Sequence, residues 1–328
     1  MADSVILSVC DLETEFTTDN GVVRVLDGVS FEVKKGKILG IVGESGCGKS
    51  VTAMSIMGLL PRPYGQVVAG KVNFDGIDLL GLAPHELYQM RGNRISMIFQ
   101  DPMTALNPVH TIGKQINEVL ELHRPELNKR QRFDYALSMF TKVGIPSPEQ
   151  RIFEYPHNLS GGMRQRVMIA IALACQPDVL ICDEPTTALD VTVQAQILDL
   201  MREIQQETGM AIIFITHDLG VVAEMCDEVV VMYAGRAVEV CDVFTLFEQP
   251  KHPYSRGLLQ SMPTLNVGHK QPLQTISGNV PQLDEMPEGC RFCTRCQFMS
   301  TKCEYQQPPW ELLDKTHRVS CHHWREVD

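Results

Sequence analysis

Two kinds of hydrophobic pattern alternate along the chain, and together they predict a mixed α/β fold. Residues 6–16 and 22–33 read as two long strands, with the turn signal Asp19-Asn20-Gly21 between them. Residues 37–42 form a short apolar run that enters a glycine-rich loop, and a helix is predicted over about 49–59. Residues 95–100 read as a further strand. The runs 179–182, 212–215 and 229–232 are short, continuous and rich in β-branched residues, as strands buried on both faces of a parallel sheet are. Between about 101 and 165 the period changes to a helical one, with Ile112, Ile116, Val119, Leu120 and Leu122 at amphipathic spacing. This predicts a parallel α/β core interrupted by a helical insertion. After Pro250, periodicity fades while proline, glycine and cysteine increase, so a body of residues 1–250 is expected to carry a small Cys-rich extension at 251–328.

Composition narrows the setting. The chain of 328 residues is 44% hydrophobic and 21% charged, ordinary for a globular protein. Its longest apolar runs, 167–175 and 211–216, fall far short of the ~20 residues a membrane span needs. The first residues lack the basic and apolar segments of a signal peptide, so the chain is expected in the cytosol, reaching a membrane through partners. The net charge is −11, with nine basic and eight acidic residues from Lys251 onward against 20 and 32 before it. Neither part has the basic excess that nucleic-acid phosphates require, so no nucleic-acid partner is expected. Of eleven cysteines, Cys10, Cys47, Cys175, Cys182, Cys226 and Cys241 are scattered and read as small core residues. The other five crowd the tail.

Chemistry enters at Gly43, Glu44, Ser45, Gly46, Cys47, Gly48, Lys49 and Ser50, which fit the G-x-x-x-x-G-K-[ST] phosphate loop between a predicted strand and a predicted helix. The glycines let backbone N–H groups wrap phosphates, and the helix N-terminus adds partial positive charge. Lys49 can reach the β- and γ-phosphates of ATP, and the Ser50 hydroxyl can ligate Mg²⁺. The apolar run 179–182 ends on Asp183 and Glu184. Asp183 is placed to hold the Mg²⁺ shell, and Glu184 to polarise an attacking water as general base.

A second anion site follows from Leu159-Ser160-Gly161-Gly162-Met163-Arg164-Gln165, a serine and two glycines opening a helix. This segment resembles the signature of ABC ATPases. The resemblance implies that two ATPase subunits pair head to tail, with Ser160, Gly161 and Gly162 of each capping the γ-phosphate held by the other. It implies the nucleotide-binding fold of that family: a P-loop core with a parallel sheet, an antiparallel β subdomain and an inserted helical subdomain. By position, Gln100 looks like the Q-loop glutamine, which touches Mg²⁺ and couples to the membrane partner. Ala188-Leu189-Asp190 looks like the D-loop, and His217 like the switch histidine on the γ-phosphate. Val51 extends the nucleotide site, and Phe16 is the aromatic that stacks on adenine in such proteins.

The resemblance sharpens further along the chain. The segment 99–108, Tyr155-Pro156-His157, His252-Pro253-Tyr254, Leu258, Leu259 and Gly289-Cys290 look like the ATPases of oligopeptide and dipeptide transporters. That implies an ATP-hydrolysing subunit powering uptake of dipeptides or oligopeptides, held peripherally on the cytoplasmic face of the inner membrane. Its implied partners are a second, homologous ATPase (a heterodimer by family habit), two transmembrane permeases and a periplasmic or extracellular solute-binding protein. Relatives in this subfamily that carry nickel or short oligosaccharides supply an alternative solute. A nucleic-acid-linked ABC ATPase is a further alternative, disfavoured by the single cassette, the missing heptad run and the acidic charge.

In the tail, Cys290, Cys296, Cys303 and Cys321 offer four thiolates, with Cys293 between the first two. Softness restricts the ligand to zinc or an iron–sulfur cluster, and spacing leaves both open. The transporter resemblance implies a [4Fe–4S] cluster on those four, with Cys293 as a spare. Zn²⁺ is the alternative, with Cys293, His317, His322 or His323 as ligands. No ATP-site motif lies in the tail, so nucleotide binding is expected to be independent of it.

Overall fold

The computed structural model describes residues 4–187, 189–262, 275–283 and 285–327. They group into two compact units, one made of 81–215 with 34–37 and the residues up to Ile6, the other of 7–33, 38–80 and the chain from Thr216 on.

In the first unit, β6 (Ile95–Ile98), β7 (Val179–Asp183) and β8 (Ala211–Thr216) run parallel, with Ile95 opposite Val179 and Asp183 opposite Ile215. Every residue of these strands is buried, which is why their sequences are continuous apolar runs. Seven helices accompany them: α2 (Pro84–Met90), α3 (Pro102–Ala105), α4 (Ile112–His123), α5 (Lys129–Lys142), α6 (Pro148–Arg151), α7 (Gly161–Leu173) and α8 (Val191–Thr208). Pro108, Pro125, Gly144 and Pro146 stand in the gaps of the expected helical insertion, because proline cannot continue a helical ladder. The Thr111 side chain caps α4, which buries Ile112, Ile116 and Leu120, one face at i, i+4, i+8. Leu122, placed on that face by spacing, is 70% exposed. Asn128 opens α5 with a capping box completed by Gln131.

In the second unit, a tight turn joins β1 (Val5–Thr18) to β2 (Gly21–Lys34), as the Asp-Asn-Gly signal predicts. Beyond β1 lie β4 (Gly65–Phe74), antiparallel with Leu7 opposite Phe74, and the short β5 (Ile77–Asp78). Separately, β3 (Ile38–Val42) runs parallel to β9 (Glu228–Tyr233), and β9 pairs antiparallel with β10 (Arg236–Asp242). The tail extends this sheet: β12 (Arg318–Val319) pairs antiparallel with β10, and β11 (Glu311–Leu312) with β12. The unit's helices are α1 (Lys49–Met57), α9 (Leu219–Met225), α10 (Val243–Glu248), α11 (Pro253–Gln260) and α12 (Thr301–Tyr305).

The tail thus shares a core with the unit it follows. Tyr254 and Phe292 pack on Tyr233 with ring centroids 4.7 and 5.1 Å away, all three buried. Each such ring removes 150–250 Å² from water, so losing one costs about 3–5 kcal/mol. The Glu239 carboxylate, fully buried, accepts the N–H groups of Lys251 (2.7 Å) and His252 (3.0 Å) and faces His317 Nε2 at 2.8 Å. Arg291 reaches Asp27 and the carbonyl of Ala234. No helix of the described residues is long and apolar enough to cross a membrane.

Candidate functional site

The phosphate loop runs from the end of β3 to the start of α1. Gly43 has φ +154°, and a Cβ there would lie 2.2 Å from the Met232 carbonyl oxygen, so the loop can pass β9 only as glycine. Gly48, the residue before α1, carries no side chain to cap the helix N-terminus. Lys49 is 5% exposed, and its Nζ donates to the carbonyls of Gly43 (2.8 Å) and Glu44 (3.1 Å), inside the loop. Ser45 and Gly46 are exposed, while Ser50 and Val51 are half-buried at the helix start. The Cys47 side chain is fully buried and burial pushes its thiol up, so this cysteine is a packing residue rather than a reactive thiolate. Phe16 is half-buried on β1 opposite Gly65, where a Cβ would meet its ring at 2.9 Å. The glycine thus leaves room for the ring against β4.

Within the other unit, Asp183 closes β7 and is 5% exposed. Glu184 follows in the left-handed region at φ +47°, a conformation that costs a non-glycine residue about 1–3 kcal/mol. Its N–H donates to Ile215 O at 2.9 Å, which fixes that turn to the end of β8. Its carboxylate Oε2 accepts from Gln100 Nε2 at 3.1 Å and from Thr187 Oγ1 at 2.9 Å. Two expected site residues 84 positions apart are therefore in direct contact.

Ser160 caps α7, its hydroxyl accepting the Met163 N–H at 3.3 Å, and both Ser160 and Gly161 are exposed. Gly162 packs on Val193, since a Cβ would meet that side chain at 3.0 Å. Asp190 caps α8 through the Val193 N–H at 2.9 Å and is exposed beside Val191, 84% exposed. Ala188 of the expected D-loop lies outside the described residues. His217, after β8 in the second unit, is exposed.

The tail cysteines converge. Each of Cys290, Cys296, Cys303 and Cys321 lies within electrostatic reach of the other three, and Cys293 within reach of Cys290, Cys296 and Cys303. Pairing of the Cys290 N–H with Cys303 O (2.8 Å) and of Gly289 N–H with Glu304 O (3.1 Å) joins the first and third cysteine segments. Backbone N–H groups two residues on, at Phe292, Phe298 and His323, point at the sulfurs of Cys290, Cys296 and Cys321. Burial nevertheless pushes Cys290 and Cys321 up to about 12, so they become thiolates only when a cation offsets that cost. Among the described residues, the one trio of donor atoms within 4.8 Å of each other is Glu239, Cys241 and His317. Glu239 already takes three hydrogen bonds there, which marks that trio as a structural core contact.

Comparison with known proteins decides the family. The ABC transporter family model matches residues 26–187, and the model for the oligopeptide/dipeptide transporter C-terminal region matches 238–303. "Probable peptide ABC transporter ATP-binding protein y4tR" of Sinorhizobium fredii is 52% identical over 98% of this chain and 95% of its own. The dipeptide transport ATP-binding protein DppD of Bacillus subtilis is 50% identical over 96% and 94%. The chain belongs to the ATP-binding subunits of peptide ABC transporters. The ATP-binding cassette MJ0796, solved as a dimer in a post-hydrolysis state with ADP and Pi, aligns with a TM-score of 0.65. It is 26% identical over 72% of this chain and 98% of that one. An ABC cassette of this kind is an ATPase, with the mixed parallel and antiparallel sheets described above.

Beside these motifs, Thr187 and Arg295 carry no motif signal of their own, whereas Tyr254 stands in the His252-Pro253-Tyr254 segment. Thr187 orients the Glu184 carboxylate. Tyr254 Oη accepts the Glu44 N–H at 2.8 Å, and Arg295 grips the Glu44 carboxylate. Tyr254 and Arg295 belong to the tail, so the tail touches the phosphate loop although no ATP-site motif lies in it. In sequence they stand 210 and 251 residues from Glu44, and no local pattern announces either contact.

Proposed function

We propose that the chain powers the uptake of dipeptides or oligopeptides, hydrolysing ATP on the cytoplasmic face of the inner membrane. The carrying observation for the solute class is the C-terminal transporter region over 238–303, together with relatives named for dipeptide and peptide transport. On this reading residues 1–250 form the nucleotide-binding cassette, with about 101–165 as its inserted helical part, and 251–328 the extension.

In the cassette, the N–H groups of the loop Gly43–Ser50 other than that of Glu44, which is given to Tyr254, hold the triphosphate together with the Lys49 ammonium; Glu44 and Cys47 complete the loop, Val51 borders it, and Phe16 stacks on adenine. Ser50, Gln100 and Asp183 hold the Mg²⁺, which neutralises phosphate charge. Glu184 takes a proton from the attacking water; the bonds from Gln100 and Thr187 fix its carboxylate before the water arrives. The exposed Ser160, Gly161 and Asp190, with the half-buried Gly162, face a second, homologous ATPase, and His217 contacts the γ-phosphate. Just after Gln100 a groove of about 300 Å³, lined by Phe99, Leu106, Val119, Met168 and Ile171, suits a helix of a permease partner. Two permeases and an external solute-binding protein complete the assembly.

The tail is read as holding a [4Fe–4S] cluster on Cys290, Cys296, Cys303 and Cys321. Support comes from the convergence of these thiols and the N–H groups aimed at three of them. Such a cluster supplies the cation that the buried thiolates need and ties the extension together. To test the function, the chain is co-purified with its permeases, and ATP turnover is measured with solute-binding protein and candidate solutes. Stimulation by short peptides is expected; stimulation by nickel or oligosaccharides alone would contradict the peptide assignment.

A further inference from the structure

Glu44 is the first variable residue of the phosphate loop, and each of its polar groups is held. Its carboxylate takes two parallel bonds from Arg295, Nη1 to Oε2 at 2.7 Å and Nη2 to Oε1 at 3.0 Å. Its N–H is given to Tyr254 Oη at 2.8 Å, and its carbonyl accepts Lys49 Nζ and the Cys47 N–H. The loop is therefore suspended between its own lysine on one side and two tail side chains on the other.

Arg295 is unusually well fixed. Its side chain is 3% exposed, and the remaining N–H donors go to Ser277 O (3.0 Å), Tyr233 Oη (3.4 Å) and Ile276 O (3.4 Å), so all five are used. Its guanidinium lies over the rings of Tyr233 and Phe292, 5.7 and 5.8 Å from their centroids. It ends the short turn Cys293–Arg295, directly before Cys296. A forked, charge-assisted contact of this kind fixes direction as well as distance. Without it, a carboxylate 30% exposed would stand uncompensated in a loop built to receive phosphate charge.

We propose that the cysteine-bearing tail positions the phosphate loop, with Arg295 as a positioning residue that acts through Glu44, so that the order of the tail sets nucleotide affinity. The proposal rests on the reading that residues 43–50 bind ATP. Because the contact is to the loop rather than to the reacting atoms, its loss changes KM for ATP far more than kcat. The same linkage means that unfolding of the extension is felt at the loop.

The test is binding of a fluorescent N-methylanthraniloyl ATP to the full chain, with turnover kinetics beside it. Arg295→Ala is expected to weaken binding about tenfold, with kcat within about twofold of the parent, and Arg295→Lys to recover part of the loss. In a Glu44→Gln background the same Arg295→Ala change should weaken binding by no more than about twofold, because the group it acts through is gone. Should Arg295→Ala not fold, Tyr254→Phe removes only the acceptor of the Glu44 N–H and is expected to weaken binding about threefold. Lys49→Ala serves as the control for the site itself: binding unaffected by that change would refute the nucleotide site. Weakened binding in Lys49→Ala with unchanged binding in Arg295→Ala and Tyr254→Phe would instead overturn the positioning role. An Arg295→Ala loss of equal size with Glu44 and with Gln at 44 would overturn it too.

Discussion

Gln100 donates to the carboxylate of Glu184 at 3.1 Å, joining the end of the β6 strand to the turn after β7. The contact puts the residue proposed to sense the membrane partner directly on the proposed base. A shift of the segment after Gln100 therefore moves a hydrogen bond on that proposed base. Gln100→Ala is expected to leave ATP affinity within about threefold while solute uptake falls about tenfold or more. Affinity, turnover and uptake measured in reconstituted vesicles check this; a parallel fall in all three would assign Gln100 to binding alone.

Thr187 offers a finer version of the same experiment. Its hydroxyl donates to the same Glu184 oxygen at 2.9 Å. Thr187→Val keeps the shape and removes the donor, and is expected to lower ATP turnover about three- to tenfold with little change in nucleotide affinity. An unchanged turnover number would show that Gln100 suffices to orient the carboxylate.

Much of the core was legible because burial on both faces writes itself as unbroken runs such as Val179–Asp183, and the phosphate loop because its spacing is dictated by backbone geometry. Strand β4 was not legible. Its middle positions are exposed, Gly65 and Gly70 interrupt it, and the partner β1 shifts register between Cys10 and Thr14, so period-2 alternation is lost. Leu122 follows the helical period yet is exposed, since the buried stripe of α4 is only as wide as what covers it. The Arg295–Glu44 clamp spans 251 residues, and nothing local in either segment requires it.

His252 provides a pH signature for the extension. Its Nδ1 accepts the Tyr254 N–H at 3.1 Å, its Nε2 has no hydrogen-bond partner among the described residues, and burial pushes the imidazole down from 6.5 to about 4. The folded state thus holds the ring neutral, and the stability it confers is complete above about pH 6.5 and is lost as pH falls toward 4. His252→Asn keeps an acceptor for the helix cap but cannot titrate. The wild type is expected to lose about 3 kcal/mol relative to that variant across this window. Unfolding free energies that stay parallel from pH 7 to 4 would contradict it.

For the cysteines, metal content is the readout. Protein purified without oxygen is expected to contain about four irons per chain and to absorb broadly near ~400 nm. Cys290→Ser, Cys296→Ser, Cys303→Ser and Cys321→Ser should each lose iron and colour, whereas Cys293→Ser should keep both. Colourless protein with one zinc per chain would replace the cluster by a mononuclear site.

The measurement closest to the central claim is ATP-driven uptake of a labelled short peptide into vesicles carrying the whole transporter, compared between the wild-type chain and Glu184→Gln. The substitution keeps the phosphate loop and removes only the carboxylate proposed to accept the proton. ATP binding is expected to remain, while hydrolysis at this site, followed in single turnover, falls by about 10²–10⁴ and uptake falls with it. Peptide uptake and single-turnover hydrolysis at wild-type rates in the Glu184→Gln transporter would contradict the account.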